Sequence, residues 1–196
     1  MAVVQIPNLP AAISLTGAEE LEIVQAGGSK RTTSQAIANL APDMTFPGYW
    51  ASYYSTVSQT NPVGGAVNKV TFNNSTGNYG ISVASNTQIT VSNAGVYSID
   101  FTAEVDKNDG GADQVNFWLM KNNSNLTATN RRATLSAAGE KTPVSVSYIQ
   151  SLNAGDYLEI AWSSADIDLL LYAEVAAGSL PATPSILMNI QLVREL

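Results

Sequence analysis

The chain has no cysteine and no histidine. Without cysteine there is no disulfide framework, and the redox compartment cannot be read from the sequence. Without histidine the commonest general base, the commonest metal ligand and the usual partner of a nucleophilic serine are missing. Charge is scarce as well: Asp, Glu, Lys and Arg make up 13% of the residues, against the usual quarter or so. The balance is acidic, with net charge −7 and a pI near 4.4. Phosphate binding needs clustered Lys or Arg. The one compact basic group is Lys30-Arg31, and Arg131-Arg132 is an isolated pair, so nucleic acid is not expected as a partner. No apolar run has the length that crosses a bilayer, and membrane insertion is not expected. The opening Met-Ala-Val-Val-Gln-Ile-Pro has no basic n-region, and Gln5 and Pro7 break its apolar stretch. It does not read as a signal peptide, and folding in the cytoplasm is the expectation.

What is present is a chain of 196 residues, 45% of them hydrophobic, enough for one core and an appendage. Asn, Ser, Thr and Ala fill the places that charge leaves. A polar, weakly charged surface suits an assembly in which many copies sit close together. Two turn-plus-strand units stand out: Asn93-Ala94-Gly95 before Val96-Tyr97-Ser98-Ile99-Asp100-Phe101, and Asn153-Ala154-Gly155 before Asp156-Tyr157-Leu158-Glu159-Ile160. Asn-x-Gly supplies residues that tolerate positive φ where a chain reverses. Alternation then sends Tyr157, Glu159 and Ala161 to one face and Leu158, Ile160 and Trp162 to the other. Strands are predicted at 50–57, 68–72, 80–82, 88–91, 95–105, 114–121, 133–135, 144–151, 156–163, 169–174 and 185–193, with turn residues between them. Regularly spaced short strands of this kind indicate an all-β antiparallel sandwich or barrel.

Residues 1–45 form a separate zone. A strand is predicted at 21–24, with Gly27-Gly28 closing a hairpin onto 29–33. Thr32 and Gln35 have capping-box spacing, and a short helix over 36–40 ends at Pro42. So little material cannot bury a core alone, so it should rest on another surface, with Ile6, Leu9, Ile13, Leu21, Ile23 and Val24 supplying apolar contacts. Residues 42–48, rich in Pro and Gly, read as a linker whose end is 46–48. Residues 49–196 hold the main domain.

Candidate chemistry is sparse. The acidic loop 106–113 offers Asp106, Asp109 and Asp113 as calcium ligands, but it lacks the EF-hand pattern. Asp166 and Asp168, at i and i+2, share a face of an extended segment and resemble a carboxylate pair, with no aromatic groove set beside them. Asn73, Asn74, Asn122 and Asn125 fit the Asn-x-Ser/Thr pattern, here read as turn formers. Gly27-Gly28-Ser29-Lys30 lacks the frame of a phosphate loop. No catalytic residue and no cofactor is assigned, and the chain reads as a non-enzyme.

Several stretches carry a family resemblance. Val70-Thr71-Phe72-Asn73, Tyr79-Gly80-Ile81, the strand after Gly95, Trp118-Leu119-Met120-Lys121-Asn122 and Leu152-Asn153-Ala154-Gly155-Asp156-Tyr157 occur in the order seen in the tumour-necrosis-factor and complement globular-head superfamily, which the domain resembles. Asn123 stands where that family has Gly, and the family's final Phe-x-Gly-Phe is replaced by residues 185–193. More narrowly, Trp118 to Asn122, Leu152 to Tyr157, Trp162-Ser163 and Pro184-Ser185-Ile186-Leu187 are similar to domains of bacteriophage virion proteins, especially of marine and cyanobacterial phages. The stretches at 6–12, 15–20, 24–28 and 30–33 resemble a segment that opens many phage fibre and tail proteins.

The resemblance implies a jelly-roll sandwich preceded by a β-hairpin and short-helix anchor. The molecule would be a homotrimeric head or tail fibre, or a capsid decoration knob. Its partners would be other virion proteins, and it would reside in the virion after assembly in the host cytoplasm. Trp50, Tyr53, Tyr148, Leu170 and Tyr172 are the expected trimer contacts. The alternative is a module for host attachment that binds a host-surface glycan or protein through loops 108–113 and 122–132, with Asn125 and Arg131 as receptor contacts.

Overall fold

The computed structural model describes residues 16, 18–38 and 48–196. The chain divides into two compact units, Met1–Pro47 and Gly48–Leu196. In the first, β1 (Glu20–Gln25) pairs antiparallel with β2 (Gly28–Thr33). The turn between them centres on Ala26 and Gly27, at φ of 52° and 75°, one residue earlier than Gly27-Gly28. Two consecutive positive φ values match the right-handed twist of a two-residue hairpin. The helix α1 spans Ser34–Ala38. Its cap is Thr33 rather than Thr32: the Thr33 hydroxyl accepts the Ala36 N–H at 3.1 Å. With Ala36 at the third helical position, no reciprocal capping box forms. Glu19 ties the unit together, accepting from the Thr16 backbone and from the Ser34 hydroxyl at 2.5 Å. These bonds, Ser34 first, hold its carboxyl well below the usual range.

The second unit is nearly all strand: β3 (Trp50–Ser55), β4 (Gln59–Thr60), β5 (Asn68–Lys69), β6 (Asn74–Tyr79), β7 (Ile81–Ala84), β8 (Gln88–Val91), β9 (Gly95–Lys107), β10 (Asp113–Lys121), β11 (Ser124–Asn125), β12 (Arg131–Leu135), β13 (Lys141–Leu152), β14 (Tyr157–Ser164), β15 (Leu169–Leu171) and β16 (Ile186–Glu195). They form two seven-stranded antiparallel sheets. One runs β7-β8-β14-β10 and ends in β11 and β12, with β5 beside β14. The other runs β6-β3-β16-β9-β13, with β15 and β4 continuing from the far end of β9. From β8 onward the chain crosses between the sheets repeatedly: β9, β13 and β16 lie in one, and β10, β12 and β14 in the other.

The core lies between the sheets. Tyr97, Ile99, Phe101, Ala103 and Val105 of β9 point inward, as do Val115, Phe117 and Leu119 of β10. Phe101 meets Phe117 with ring centroids 5.9 Å apart and tilted, a favoured aromatic geometry. The two Asn-Ala-Gly tripeptides do different jobs. Gly155 has φ of 84° in a turn closed by Asp156 N–H to Asn153 O. Gly95 is not in the left-handed region. A Cβ there would collide with the Leu192 side chain and lie 2.8 Å from the Arg194 carbonyl oxygen, so Gly95 provides space for β16.

Strand 88–91 appears with its expected ends, and β9 runs two residues further than alternation indicated. The 169–174 strand shortens to Leu169–Leu171. The 68–72 strand shrinks to two residues, although Val70 and Phe72 remain buried. β6, reading Asn-Ser-Thr-Gly-Asn-Tyr, was not expected. As an edge strand it is largely exposed, so no alternation marks it. Both faces of β14 are covered: opposite the inward Leu158, Ile160 and Trp162, Glu159 is 1% exposed and Ala161 is fully buried. The Glu159 carboxylate is held by Lys69 Nζ at 2.8 Å and by the Thr87 hydroxyl at 3.0 Å.

Candidate functional site

An open groove of about 380 Å³ lies on the outward face of β10 and β14. Asn116 and Trp118, two apart on β10, share that face, and Ser163 stands opposite Asn116 on β14. The excursion between β10 and β12 supplies the wall, with Asn125, Leu126, Ala128 and Asn130. It leaves β10 through Asn122 and Asn123, both at positive φ (49° and 65°), a conformation that Asn tolerates.

The wall is pinned from beneath. Buried Thr129 accepts the Leu119 N–H at 3.1 Å and donates to the Leu126 carbonyl at 2.8 Å. The Tyr148 hydroxyl donates to the Thr129 carbonyl. The Trp118 indole N–H donates to Asn125 Oδ1 at 2.8 Å, and Asn130 Nδ2 donates to Asn116 Oδ1 at 3.4 Å. Ala128 is held at φ of 63°, strain that persists only where surrounding structure imposes it. No charged side chain lines the groove.

A second cluster surrounds Lys107, whose fully buried ammonium is bound by Asp109, by Asp113 at 2.5 Å and by Asp166 at 3.0 Å. Burial alone would lower the lysine's pKa, but the carboxylates, Asp109 first, raise it well above its ordinary value. Asp166 is lowered, first by the Asp168 backbone N–H and then by Lys107. Asp109, Asp166 and Asp168 lie close enough to share a cation, but Lys107 already supplies a positive charge there. Asp109 and Asp113 thus converge, while Asp106 does not join them: it pairs across the strand with Lys141, 3.7 Å away. Asp166 is committed to Lys107, so Asp166 and Asp168 are not a free carboxylate pair. Lys107 itself was missed, although it continues the inward phase of 97, 99, 101, 103 and 105.

The expected trimer contacts divide. Tyr53 and Tyr148 are core residues, which corrects their placement. The Tyr53 hydroxyl donates to the Ile81 carbonyl at 2.9 Å, and the Tyr148 ring packs on Phe101. Burial raises both phenols. Trp50, Leu170 and Tyr172 share the outward face of the β9 sheet, where the Lys141 ammonium sits 3.8 Å from the Tyr172 ring centroid. Of the receptor contacts, Asn125 lines the groove. Arg131 lies beside it, donating to the Asn130 carbonyl at 2.9 Å with its guanidinium 5.8 Å from the Tyr148 ring centroid. Of the anchor residues, Ile6, Leu9 and Ile13 lie outside the described residues. Leu21 is exposed and Ile23 half-buried on one face of the hairpin, and Val24 pairs with Ser29. Asn130 falls within the expected receptor loop 122–132, whereas Asn116 and Ser163 were not anticipated; the signal for the first was its i, i+2 spacing from Trp118.

No protein-family model matches the chain, and a search of curated proteins finds no relative.

Proposed function

We propose that the protein is a structural component of a bacteriophage virion: a trimeric short fibre or decoration knob carried on capsid or tail by residues 1–45. The observation that carries self-association is the outward face of the β9 sheet. A solvent-facing antiparallel sheet face is ordinarily polar. Here Trp50, Ile149, Leu187 and Val193 are exposed, Ile149 at 67%, and half-buried Leu170 and Tyr172 join them. The residues between are mostly uncharged Ser, Thr, Asn and Gln. Exposed apolar area on this scale suits contact with another surface, and a second and third copy would cover it. The alternation of successive strands between sheets supports the jelly-roll reading. The N-terminal resemblance, and the division of the chain at residue 47, support a separate anchor.

The test is deletion of residues 1–45. The remaining chain holds the buried core cluster found among the described residues and should sediment as a trimer that no longer joins virions. A monomer at micromolar concentration would overturn the trimer, and incorporation of the truncated chain would overturn the anchor. The Trp118 groove favours a second role in host attachment, as a site for a host-surface ligand.

A further inference from the structure

We propose that the Trp118 groove binds a neutral saccharide, an inference that rests on the host-attachment reading. An aromatic face and hydrogen-bonding amides are what an uncharged pyranose needs. Its C–H face packs on a ring, and its hydroxyls each require both a donor and an acceptor. Trp118 supplies the ring. Its own N–H is satisfied by Asn125 Oδ1, so the Asn125 amide nitrogen keeps both hydrogens for a ligand. Asn116 Nδ2, Asn130 Oδ1 and the Ser163 hydroxyl make no hydrogen bond among the described residues, so donors and acceptors line one groove. Sites that pair buried hydroxyls with such groups discriminate strongly against analogues lacking them.

The charge pattern selects among ligands. An uncharged lining gives no ion pair to a sialic acid, a phosphate or an acidic peptide. Arg131 is engaged with backbone carbonyls and the Tyr148 ring, and Arg132, opposite Asn116 across the β10–β12 pair, is not among the residues that line the groove. A volume of about 380 Å³ falls within the range of small-ligand sites and would hold one or two sugar rings. The site is prebuilt, because Thr129 and Tyr148 fix the wall from the core. The strained Ala128 indicates that the wall is held where it is at a cost.

The experiment is titration of the full-length protein with methyl glucoside, methyl galactoside, methyl mannoside and dextran, following the indole N–H resonances by NMR, with sialic acid as charged control. Saturable shift of the Trp118 resonance by at least one neutral sugar is expected, with Kd on the order of 1 mM, about 4 kcal/mol at that affinity. Sialic acid should leave it unmoved. Trp118→Ala, followed through the side-chain amide resonances of Asn125 and Asn130 because the indole is gone, should weaken binding about tenfold or more. Asn116→Ala and Asn130→Ala, which spare the ring, should each weaken it severalfold with thermal unfolding unchanged. No shift with any neutral probe, or equal binding by all three variants, overturns the proposal. Adsorption of particles carrying Trp118→Ala is scored separately. Saccharide binding with undiminished adsorption leaves the site standing and removes the attachment role. Lost adsorption by Arg131→Ala particles without any saccharide shift keeps attachment and removes the sugar.

Discussion

The two Asn-Ala-Gly tripeptides should respond oppositely to the same substitutions. At Gly155 the backbone is left-handed and the space around a new Cβ is empty. Alanine there costs the left-handed penalty of about 1–2 kcal/mol, offset in part by about 0.4–1 kcal/mol of lost freedom in the unfolded chain, for a net loss near ~1 kcal/mol. Asparagine tolerates that conformation and should recover most of the loss. At Gly95 the limit is volume. A Cβ would strike the Leu192 side chain and press on the Arg194 carbonyl oxygen at 2.8 Å. Overpacking of this kind costs about 1–3 kcal/mol, and the larger asparagine should cost more than alanine. Leu192→Ala should relieve part of the Gly95→Ala penalty and leave Gly155→Ala untouched, because the Arg194 backbone contact remains in the first case and Leu192 is not near the second. Urea unfolding of the full chain, compared by midpoint at constant slope, measures each difference. If asparagine were better tolerated than alanine at Gly95, or worse at Gly155, the assignment of space to one glycine and conformation to the other would be refuted.

Lys69→Met should destabilise the protein by about 3–5 kcal/mol, because it leaves the buried Glu159 carboxylate without its counter-charge. The double variant Lys69→Met, Glu159→Leu should recover most of that in the same urea assay, and additive losses would show that the pair is not coupled. Stability should be flat between about pH 5 and 9, since there is no histidine to titrate there. Asp156, lowered first by the Asn122 amide, and Asp166 have depressed folded values. Their contribution is complete above the ordinary carboxylate value of about 3.9 and is lost as pH falls through the lower folded values. The raised Lys107 contributes fully below about 10.4 and loses its share only as pH rises through its higher folded value. Thermal unfolding followed by circular dichroism across pH checks both arms, and a midpoint that fell steadily between pH 5 and 9 would contradict them.

Much of the fold was legible because strand alternation is a local property. Residues 97–105 alternate so regularly that β9 and its inward face follow from the sequence, and so do β8 and most of β10 and β14. The site was legible only in pieces. Asn125 and Trp118 could each be singled out and Asn130 lay in the expected loop 122–132, but Asn116 and Ser163 carry no local mark of a shared groove. Tyr53 and Tyr148 look like surface aromatics in sequence because a hydroxyl can face either water or a buried carbonyl. Their partners, Ile81 and Thr129, lie 28 and 19 residues away.

Composition and periodicity by themselves determined an all-β antiparallel chain with a hairpin ahead of it, because backbone alternation and turn chemistry act over a few residues. They also removed histidine and cysteine chemistry outright. Tertiary structure alone decided that both faces of β14 are covered, which glycine serves conformation and which serves space, and that Lys107 sits among three carboxylates. Those outcomes depend on contacts between segments distant in sequence: Lys69 with Glu159, Gly95 with Leu192, and Lys107 with Asp166. No local pattern encodes which distant segment arrives.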